Sequence, residues 1–234
     1  MPANSLPFDL IEAMQWLGER DELLKRLIDE TPGFELDVKE AVSPYEALLE
    51  SIAYQSISGK AAATIYGRVK ALGGDGRAPT PAQMLKLRVP QLRKAGLSNA
   101  KVLAMKDLAR KTLEGVVPTL AQAQTMSDEE LVDRIVSVRG IGAWSVEMFL
   151  IFRLGRPDVL PIHDLGVKKG WSVTYGKKHM PTPKELLAFG ERWRPYRTVA
   201  SWYMWRAFER AGYAATNRIK PPKPQRRRDK TANR

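Results

Sequence analysis

The sequence predicts an all-α protein, built from roughly ten or more short helices that form two lobes. Apolar residues recur at three- and four-residue spacing along most of the chain, which is the period of a helix with one buried face. Ser, Thr and Pro stand at the starts of many of these segments, where caps and first turns favour them. Convincing alternation of apolar and polar residues, the mark of a half-buried strand, is absent from the sequence.

The helical segments follow one another with short breaks. Ser43 begins one of them as N-cap, with Glu46 three positions later, and Ser127 begins another. Residues 72–81, LGGDGRAPTP, are predicted to be a loop by their glycine and proline content. In chain order the predicted helices are LIEAMQWL, DELLKRLIDE, PYEALLESIAY, GKAAATIYGRVKAL, PAQMLKL, VPQLRKA, NAKVLAMKDLARKTLEG, DEELVDRIVSV, SVEMFLIFRL, KELLAFGERW and YRTVASWYMWRAFERAGY.

The composition limits the chemistry that the chain can carry. An apolar fraction of 44% over 234 residues is enough for a substantial core. The sequence has no cysteine and only two histidines, which argues against a disulfide scaffold, a thiolate zinc site, an iron–sulfur cluster and a histidine-built metal site. No run of about 18 apolar residues predicts a membrane span. We therefore expect a cytoplasmic protein, nucleoid-associated if bacterial, with no membrane partner.

The charge is strongly positive and unevenly distributed. The net charge is +12, and residues 217–234 alone carry eight Lys/Arg against one Asp. This Pro-rich segment has almost no apolar content, so we expect a disordered basic tail. Such a tail favours a polyanion partner, with nucleic acid the leading class, and a merely solubilising tail is the alternative.

The stretch VRGIGAWSVE (138–147) separates two helical segments with two glycines around one isoleucine. Glycine permits a positive φ and lets the backbone approach another surface closely. The second helix, expected to start near Ser145, presents free N–H groups and the positive end of its dipole, where a phosphate would bind. Ile141 is expected to anchor the turn in the core. An ordinary turn between two helices is the alternative interpretation.

The segment LVDRIVSVRGIGAWSVEMFLIF resembles the helix-hairpin-helix motif of the base-excision DNA glycosylases, and RPDVLPIHDLGV resembles the segment with their essential aspartate. Together with further blocks, the chain from about residue 43 to 210 is similar to the 3-methyladenine DNA glycosylase II branch. The resemblance implies a two-lobed helical glycosylase fold with the active-site cleft between the lobes. It implies one domain over residues 1–216, with the hairpin at 138–144. The further blocks are residues 52–69, 92–109 and 193–205.

The resemblance implies a repair enzyme that flips an alkylated purine out of double-stranded DNA and hydrolyses its N-glycosidic bond, which initiates base excision repair. Asp164 takes the place of the essential aspartate, and one carboxylate can stabilise positive charge on the sugar and orient a water. From the sequence alone Asp164 is also a good N-cap for the helix that follows. The two roles are compatible.

Residues that contact DNA are implied in two places. In the hairpin these are Gly140 and Gly142, through backbone N–H groups, followed by Ser145. Residues 54–58, YQSIS, match the loop whose side chain fills the gap left by the flipped base, and we call this segment the wedge loop. Its matching residues are Gln55, Ser56 and Ile57, and Ser58 is expected to cap the next helix. Ser56 is small for a wedge, so Tyr54 or Ile57 is expected to substitute.

The substrate pocket of the branch is aromatic, and its positions fall on Trp144, Trp205, Met148 and Leu165. Electron-poor alkylated purines stack well on aromatic faces. Met148 and Leu165 are departures from the aromatic pattern, which leaves the substrate range open. For Trp202 we expect core packing. His163, beside Asp164, is expected to be a surface histidine.

Trp144 stands where lyase-competent relatives have a lysine that forms a Schiff base, so the resemblance implies a monofunctional hydrolase. Lys168 and Lys169 keep a glycosylase with lyase activity open as an alternative, although solvated helix lysines are the simpler interpretation. A non-catalytic helix-hairpin-helix DNA-binding protein is a further alternative, which would need neither Asp164 nor Trp205.

No cofactor is expected to be required. The hairpin of the superfamily can hold a monovalent cation, Na⁺ or K⁺, through main-chain carbonyls, and the matching carbonyls belong to Val136, Val138 and Ile141. The partner is expected to be double-stranded DNA with alkylated bases, bound by a monomer.

Overall fold

A computed structural model describes residues 6–38, 43–216 and 219–220 of the chain. The described residues form helices and contain no β-strand; one isolated bridge pairs His179 with Lys220. The all-α prediction is therefore confirmed. The helices are α1 Leu10–Arg20, α2 Glu22–Asp29, α3 Pro44–Tyr54, α4 Gly59–Ala71, α5 Pro81–Lys86, α6 Val89–Lys94, α7 Asn99–Leu113, α8 Leu120–Thr125, α9 Asp128–Ile135, α10 Ala143–Phe152, α11 Leu165–Thr174, α12 Pro183–Gly190 and α13 Arg197–Thr216, with a 3₁₀ turn at Glu191–Trp193.

The predicted helix starts are explained by side-chain caps. Ser43, Ser58 and Ser127 each accept a hydrogen bond from the backbone N–H three residues ahead, which satisfies one of the free donors at a helix start. Thr182 forms a reciprocal capping box with Glu185 at the start of α12. These local bonds fix where α3, α4, α9 and α12 begin.

The chain divides into two compact units. Unit 1 comprises residues 1–7 and 36–159, and unit 2 comprises residues 8–35 and 160–234. The sequence predicts two lobes, but the inclusion of α1 and α2 in the unit of the C-terminal helices was not anticipated. Most of the predicted basic tail, residues 217–218 and 221–234, lies outside the described residues. Among the described helices, none is both long and apolar enough to cross a membrane.

Unit 1 is organised around α7. This helix packs against α3, α5 and α6, and α3 in turn contacts α4 and α10. Leu49 and Ile52 of α3, Met105 and Leu108 of α7 and Leu150 of α10 are buried in the core of the unit. Burial of such side chains contributes about 1.5–3 kcal/mol each relative to exposure. The wedge loop follows α3 and the hairpin joins α9 to α10, so both segments leave helices of this unit.

Unit 2 depends on close packing of α11 against α13. A Cβ on Gly170 would fall 1.8 Å from the carbonyl oxygen of Met204, so only glycine allows the two helices to approach this closely.

A buried aspartate at the start of α2 organises the rest of unit 2. Asp21 accepts hydrogen bonds from the N–H of Leu24 at 3.1 Å, from Nε1 of Trp193 at 3.1 Å and from the hydroxyl of Tyr175. Desolvation, reinforced by the bond to Asp21, raises the pKa of the Tyr175 hydroxyl far above its ordinary value, so the hydroxyl remains a donor. The cluster ties α2 to α11 and to the 3₁₀ turn.

Candidate functional site

The turn between α9 and α10 is a tight hairpin with a buried centre. Gly140 has a φ of +76°, and a Cβ at this position would lie 3.3 Å from the Cβ of Ala104. Ile141 is only 5% exposed, as expected for an anchor, and its N–H donates to the carbonyl of Val138 at 3.1 Å. The backbone conformation therefore favours glycine at position 140, and the space beside Ala104 of α7 is tight for a Cβ.

Gly142 has a different role, because it is the N-cap of α10. Its φ is −102°, and no described atom lies within 4 Å of the place where its Cβ would be. No side-chain hydrogen bond caps this helix start, and Gly142 adds no side chain beside it. An anion binds favourably at such a helix start, because the N–H groups and the helix dipole both attract negative charge.

The structure corrects two details of the predicted hairpin. The second helix begins at Ala143 rather than near Ser145. Ser145 was expected to contact DNA, but its residue is 5% exposed and its N–H donates to the carbonyl of Gly142 at 3.0 Å. Neither group is available to a phosphate, so Ser145 belongs to the packing of α10.

Side chains of α7 hold the hairpin from beneath. The N–H of Arg139 donates to Oδ2 of Asp107 at 2.8 Å, and the ammonium of Lys111 donates to the carbonyl of Ser137. Desolvation raises the pKa of the Asp107 carboxyl, but the hydrogen bonds from Arg139 and Arg110 and the charge of Lys111 outweigh it and hold that pKa below its ordinary value. The carboxylate stays ionised at neutral pH and fixes the hairpin backbone.

The wedge loop leaves α3 beside this hairpin. Nε2 of Gln55 donates to the carbonyl of Gly140 at 3.0 Å. Ser56 has a φ of +59°, a left-handed conformation that is uncommon for residues other than glycine. Tyr54, Ser56 and Ile57 are exposed, and Ser58 caps α4 as predicted. The loop therefore presents Tyr54 and Ile57 as its large exposed side chains, and Gln55 contacts the hairpin.

Asp164 and Trp205, predicted separately, are in contact within unit 2. Oδ1 of Asp164 accepts the N–H of Val167 at 2.8 Å, as an N-cap, and Nε1 of Trp205 at 2.9 Å. A Cβ on Gly166 would lie 2.8 Å from Cδ1 of Trp205, so this glycine makes room for the indole. Two donors on one oxygen fix the orientation of the carboxylate plane.

The remaining pocket positions are distributed over both units. In unit 1, Trp144 is 44% exposed, and Met148 lines a cavity of about 250 Å³ whose walls include Tyr54. In unit 2, Leu165 is 54% exposed at the first residue of α11. Trp202 is buried and donates to the carbonyl of Glu35 at 2.9 Å, which agrees with the predicted core role.

Two basic residues near Asp164 in the sequence, His163 and Lys169, differ in exposure. His163 is exposed, as expected. Lys169 was expected to be solvated but is only 7% exposed, and its ammonium lies 5.6 Å from the centroid of the Phe208 ring. Phe208 belongs to α13, so Lys169 is buried where α11 packs against α13.

The three residues whose carbonyls match the cation site of the superfamily are close together in the chain. Val136, Val138 and Ile141 are all in the turn between α9 and α10. Among the described residues, no cluster of three or more His, Asp or Glu side chains offers an alternative metal site.

A family model described as HhH-GPD superfamily base excision DNA repair protein matches residues 49–195, more than half of the chain. The chain belongs to the HhH-GPD superfamily. The match includes the wedge loop, the hairpin and Asp164.

Relatives within the HhH-GPD superfamily point to one branch. The chain is 35% identical to DNA-3-methyladenine glycosylase 1 of Schizosaccharomyces pombe, over 92% of this chain and 93% of the relative. A solved structure of the S. pombe 3-methyladenine DNA glycosylase in complex with abasic DNA aligns with a TM-score of 0.75 and 35% identity, over 83% of this chain and 95% of that one. A DNA-3-methyladenine glycosidase from Bacillus halodurans aligns with a TM-score of 0.77 and 30% identity, over 88% and 94%.

Sequence reasoning missed the residues that support the HhH-GPD site from neighbouring helices. Asp107 and Lys111 lie in a charged stretch of α7 that reads as an ordinary solvated face. Gly166 and Gly170 form a G-x-x-x-G pattern, LGVKKG, in which small residues one turn apart let another helix approach. That spacing was the available signal for the contact between α11 and α13.

Proposed function

We propose that this protein is a DNA glycosylase for alkylated purines of the 3-methyladenine type, acting in base excision repair as a monofunctional hydrolase. The observation that carries the proposal is the carboxylate of Asp164, oriented by Val167 and by the indole of Trp205. The similarity to curated 3-methyladenine glycosylases over nearly the whole chain supports the substrate class.

The proposed reaction is hydrolysis of the bond between C1′ of deoxyribose and the purine nitrogen. Alkylation makes the base cationic, so it leaves as a neutral alkylpurine with the bonding electron pair. Positive charge then develops on the sugar, and the carboxylate of Asp164 stabilises it. The carboxylate also accepts a proton from the water whose oxygen bonds to C1′. The products are the free base and an abasic site in an intact strand.

Trp144 supports the monofunctional part of the proposal. An indole cannot form a Schiff base with C1′, so the residue at the end of the hairpin offers no route to covalent catalysis and strand cleavage. Its exposed ring is suited instead to stacking on an electron-poor base.

The hairpin supports the proposed binding of duplex DNA. The start of α10 carries the positive end of the helix dipole with no side-chain cap, and Gly142 leaves space for a phosphate to approach. The carbonyls of Val136, Val138 and Ile141 are hard oxygen donors that suit Na⁺ or K⁺, and a carbonyl has two lone pairs, so that of Val138 can accept from Ile141 and still serve a cation. Such a cation would add positive charge beside the bound phosphate.

The experiment is base release from methylated duplex DNA by the wild type and by Asp164→Asn. Asparagine caps a helix as well as aspartate, so the variant is expected to fold and to bind DNA. We expect release of free methylpurines without strand breaks, reduced about a hundredfold or more in the variant. Asp37→Asn, at an exposed aspartate of unit 1, is the matched control and is expected to act like the wild type.

Three outcomes would contradict the proposal. Equal activity in Asp164→Asn would remove this residue from the mechanism. Strand cleavage by the wild type would favour the lyase alternative. DNA binding without release of any methylated base would favour the non-catalytic binding protein.

We also propose that the protein acts as a monomer. Light scattering after gel filtration is expected to give the chain mass, 26.3 kDa, both alone and in a complex with one duplex after the DNA mass is subtracted. A doubled mass would contradict this.

A further inference from the structure

We propose that Gln55 is a positioning residue that couples the wedge loop to the phosphate-binding hairpin, so that DNA opening and phosphate binding reinforce each other. The inference rests on the proposed function, because it assigns a role within that site. Its basis is the 3.0 Å hydrogen bond from Nε2 of Gln55 to the carbonyl of Gly140, across 85 residues of sequence.

On the hairpin side, this bond fixes the orientation of one peptide plane. The carbonyl of Gly140 and the N–H of Ile141 belong to the same planar unit. The carbonyl accepts from Gln55, and the N–H donates to Val138 at 3.1 Å. Both polar groups are therefore committed, and the plane cannot rotate without breaking a bond. Gly142, the N-cap of α10 at the proposed phosphate contact, follows this plane directly.

On the loop side, Gln55 is where α3 ends. Its own N–H still bonds to the carbonyl of Ser51 at 3.2 Å, and the next residue, Ser56, has the left-handed φ of +59°. Such a conformation costs about 1–3 kcal/mol for a residue that is not glycine, and it persists only where its surroundings hold it. The exposed Ile57 comes next. A movement of Ser56 and Ile57 into DNA therefore acts directly on the residue that holds Gly140.

A third connection runs through α7 and makes the two segments parts of one framework. The ammonium of Lys101, near the start of α7, donates to the carbonyl of Ala53 at 2.8 Å, and desolvation lowers the pKa of this lysine. Asp107, further along the same helix, holds the N–H of Arg139 in the hairpin. The end of α3 and the hairpin are thus both hydrogen-bonded to α7, and Gln55 joins them directly.

The test compares Gln55→Met with the wild type on two DNAs, an unmodified duplex and a duplex with a tetrahydrofuran abasic-site analogue. Methionine has a similar length and no N–H donor. The dissociation constants of both DNAs and the unfolding temperature are measured at one salt concentration. Gln124→Met, at an exposed glutamine of α8 in the same unit, is the matched control.

We expect the wild type to prefer the abasic duplex, because this DNA is opened most easily. This preference is the dissociation constant of the unmodified duplex divided by that of the abasic duplex. In Gln55→Met this ratio should fall about two- to tenfold, the range that one hydrogen bond of ordinary strength spans. Binding of the unmodified duplex should weaken less than binding of the abasic duplex, and the unfolding temperature should stay close to that of the wild type. Gln55→Lys restores an N–H donor, so it should recover part of the ratio. Its added positive charge strengthens binding of both DNAs alike and therefore cancels in the ratio.

If Gln55 has a purely structural role, Gln55→Met should weaken the binding of both DNAs by the same factor and lower the unfolding temperature. This result would overturn the inference. So would an unchanged ratio in Gln55→Met. Base release from methylated DNA by the wild type is measured beside these experiments. A wild type with neither base release nor preference for the abasic duplex rejects the proposed function itself, whereas a wild type with both and an unchanged ratio in the variant rejects only the coupling.

Discussion

Gly140 and Gly142 belong to the same short motif but differ in conformation and in surroundings. The first is held in a left-handed conformation against Ala104, and the second caps α10 with open space where a side chain would be. Gly140 therefore serves the folded state of the hairpin, and Gly142 leaves the space that the proposed phosphate contact needs.

Substitution by alanine should separate these two roles. Gly140→Ala is expected to lower the free energy of unfolding by about 1–2 kcal/mol, because a Cβ disfavours a φ of +76°. Gly142→Ala should unfold within about 0.5 kcal/mol of wild type yet bind duplex DNA several-fold more weakly, because the added methyl group occupies the space that a phosphate needs. Thermal unfolding and a DNA titration of both variants check this. Wild-type DNA affinity in Gly142→Ala would show that no phosphate approaches there.

At the residue scale the sequence carries local information well. The capping roles of Ser43, Ser58 and Asp164 follow from residue type and position, and each is present in the structure. The bond between Asp164 and Trp205 joins residues 41 positions apart and depends on how α11 meets α13, which no local pattern specifies. The burial of Ser145 and Lys169 was missed for the same reason, since burial is decided by neighbours distant in sequence.

At the scale of elements, α7 is the support on which the hairpin rests. Its charged residues point to solvent in the simplest interpretation of the sequence, yet Asp107 accepts from the backbone of the hairpin and lies between Arg110 and Lys111. α7 has 15 residues, five of them buried in the core, so it provides a fixed support for the backbone of the hairpin.

Asp107→Asn is expected to destabilise unit 1 by about 0.5–1.5 kcal/mol at neutral pH, because the charge-assisted part of these bonds is lost. The folded-state pKa of Asp107 is depressed, so its contribution is fully present above the unfolded-state pKa of about 3.9 and is lost as pH falls through the folded-state pKa. The stability difference between variant and wild type should therefore be constant from about pH 5 to 8 and shrink in stronger acid.

Chemical denaturation across this pH range is the measurement. Asp133→Asn, at an exposed aspartate of α9, serves as the control. A difference between Asp107→Asn and wild type that grows on acidification would contradict the assignment.

For the molecule as a whole, the surplus of positive charge is the property that DNA affinity should reflect. Residues 221–234 hold six Lys/Arg and one Asp, a net +5 of the chain's +12. Lys220 must be kept in a truncation, because its backbone bonds to Lys178 and Met180.

Removing residues 221–234 is expected to weaken duplex binding and to make it less sensitive to salt. The plot of log affinity against log salt has a negative slope, and each phosphate contact that is lost reduces the size of this slope by about 0.9. Titrations at several salt concentrations measure the slope. An unchanged slope would mean that these residues do not contact DNA.

The sequence predicts the fold class of the whole chain because helical periodicity and capping signals are repeated in segment after segment. It does not reveal which helices share a core. The position of α1 and α2 in one unit with α11 and α13 depends on the burial of Leu17, Leu24 and the Asp21 cluster, and none of these has a partner nearby in sequence.

This discontinuous construction of unit 2 has a consequence for the order of folding during protein synthesis. A chain leaves the ribosome from its N-terminus onward. α1 and α2 therefore emerge before the whole of Leu36–Val159, while the helices of unit 2 that cover them, α11 and α13, emerge after it. Unit 1 can complete its core while Leu17 and Leu24 are still uncovered. During that interval the first two helices expose apolar side chains, and these side chains are covered only after α13 has been translated.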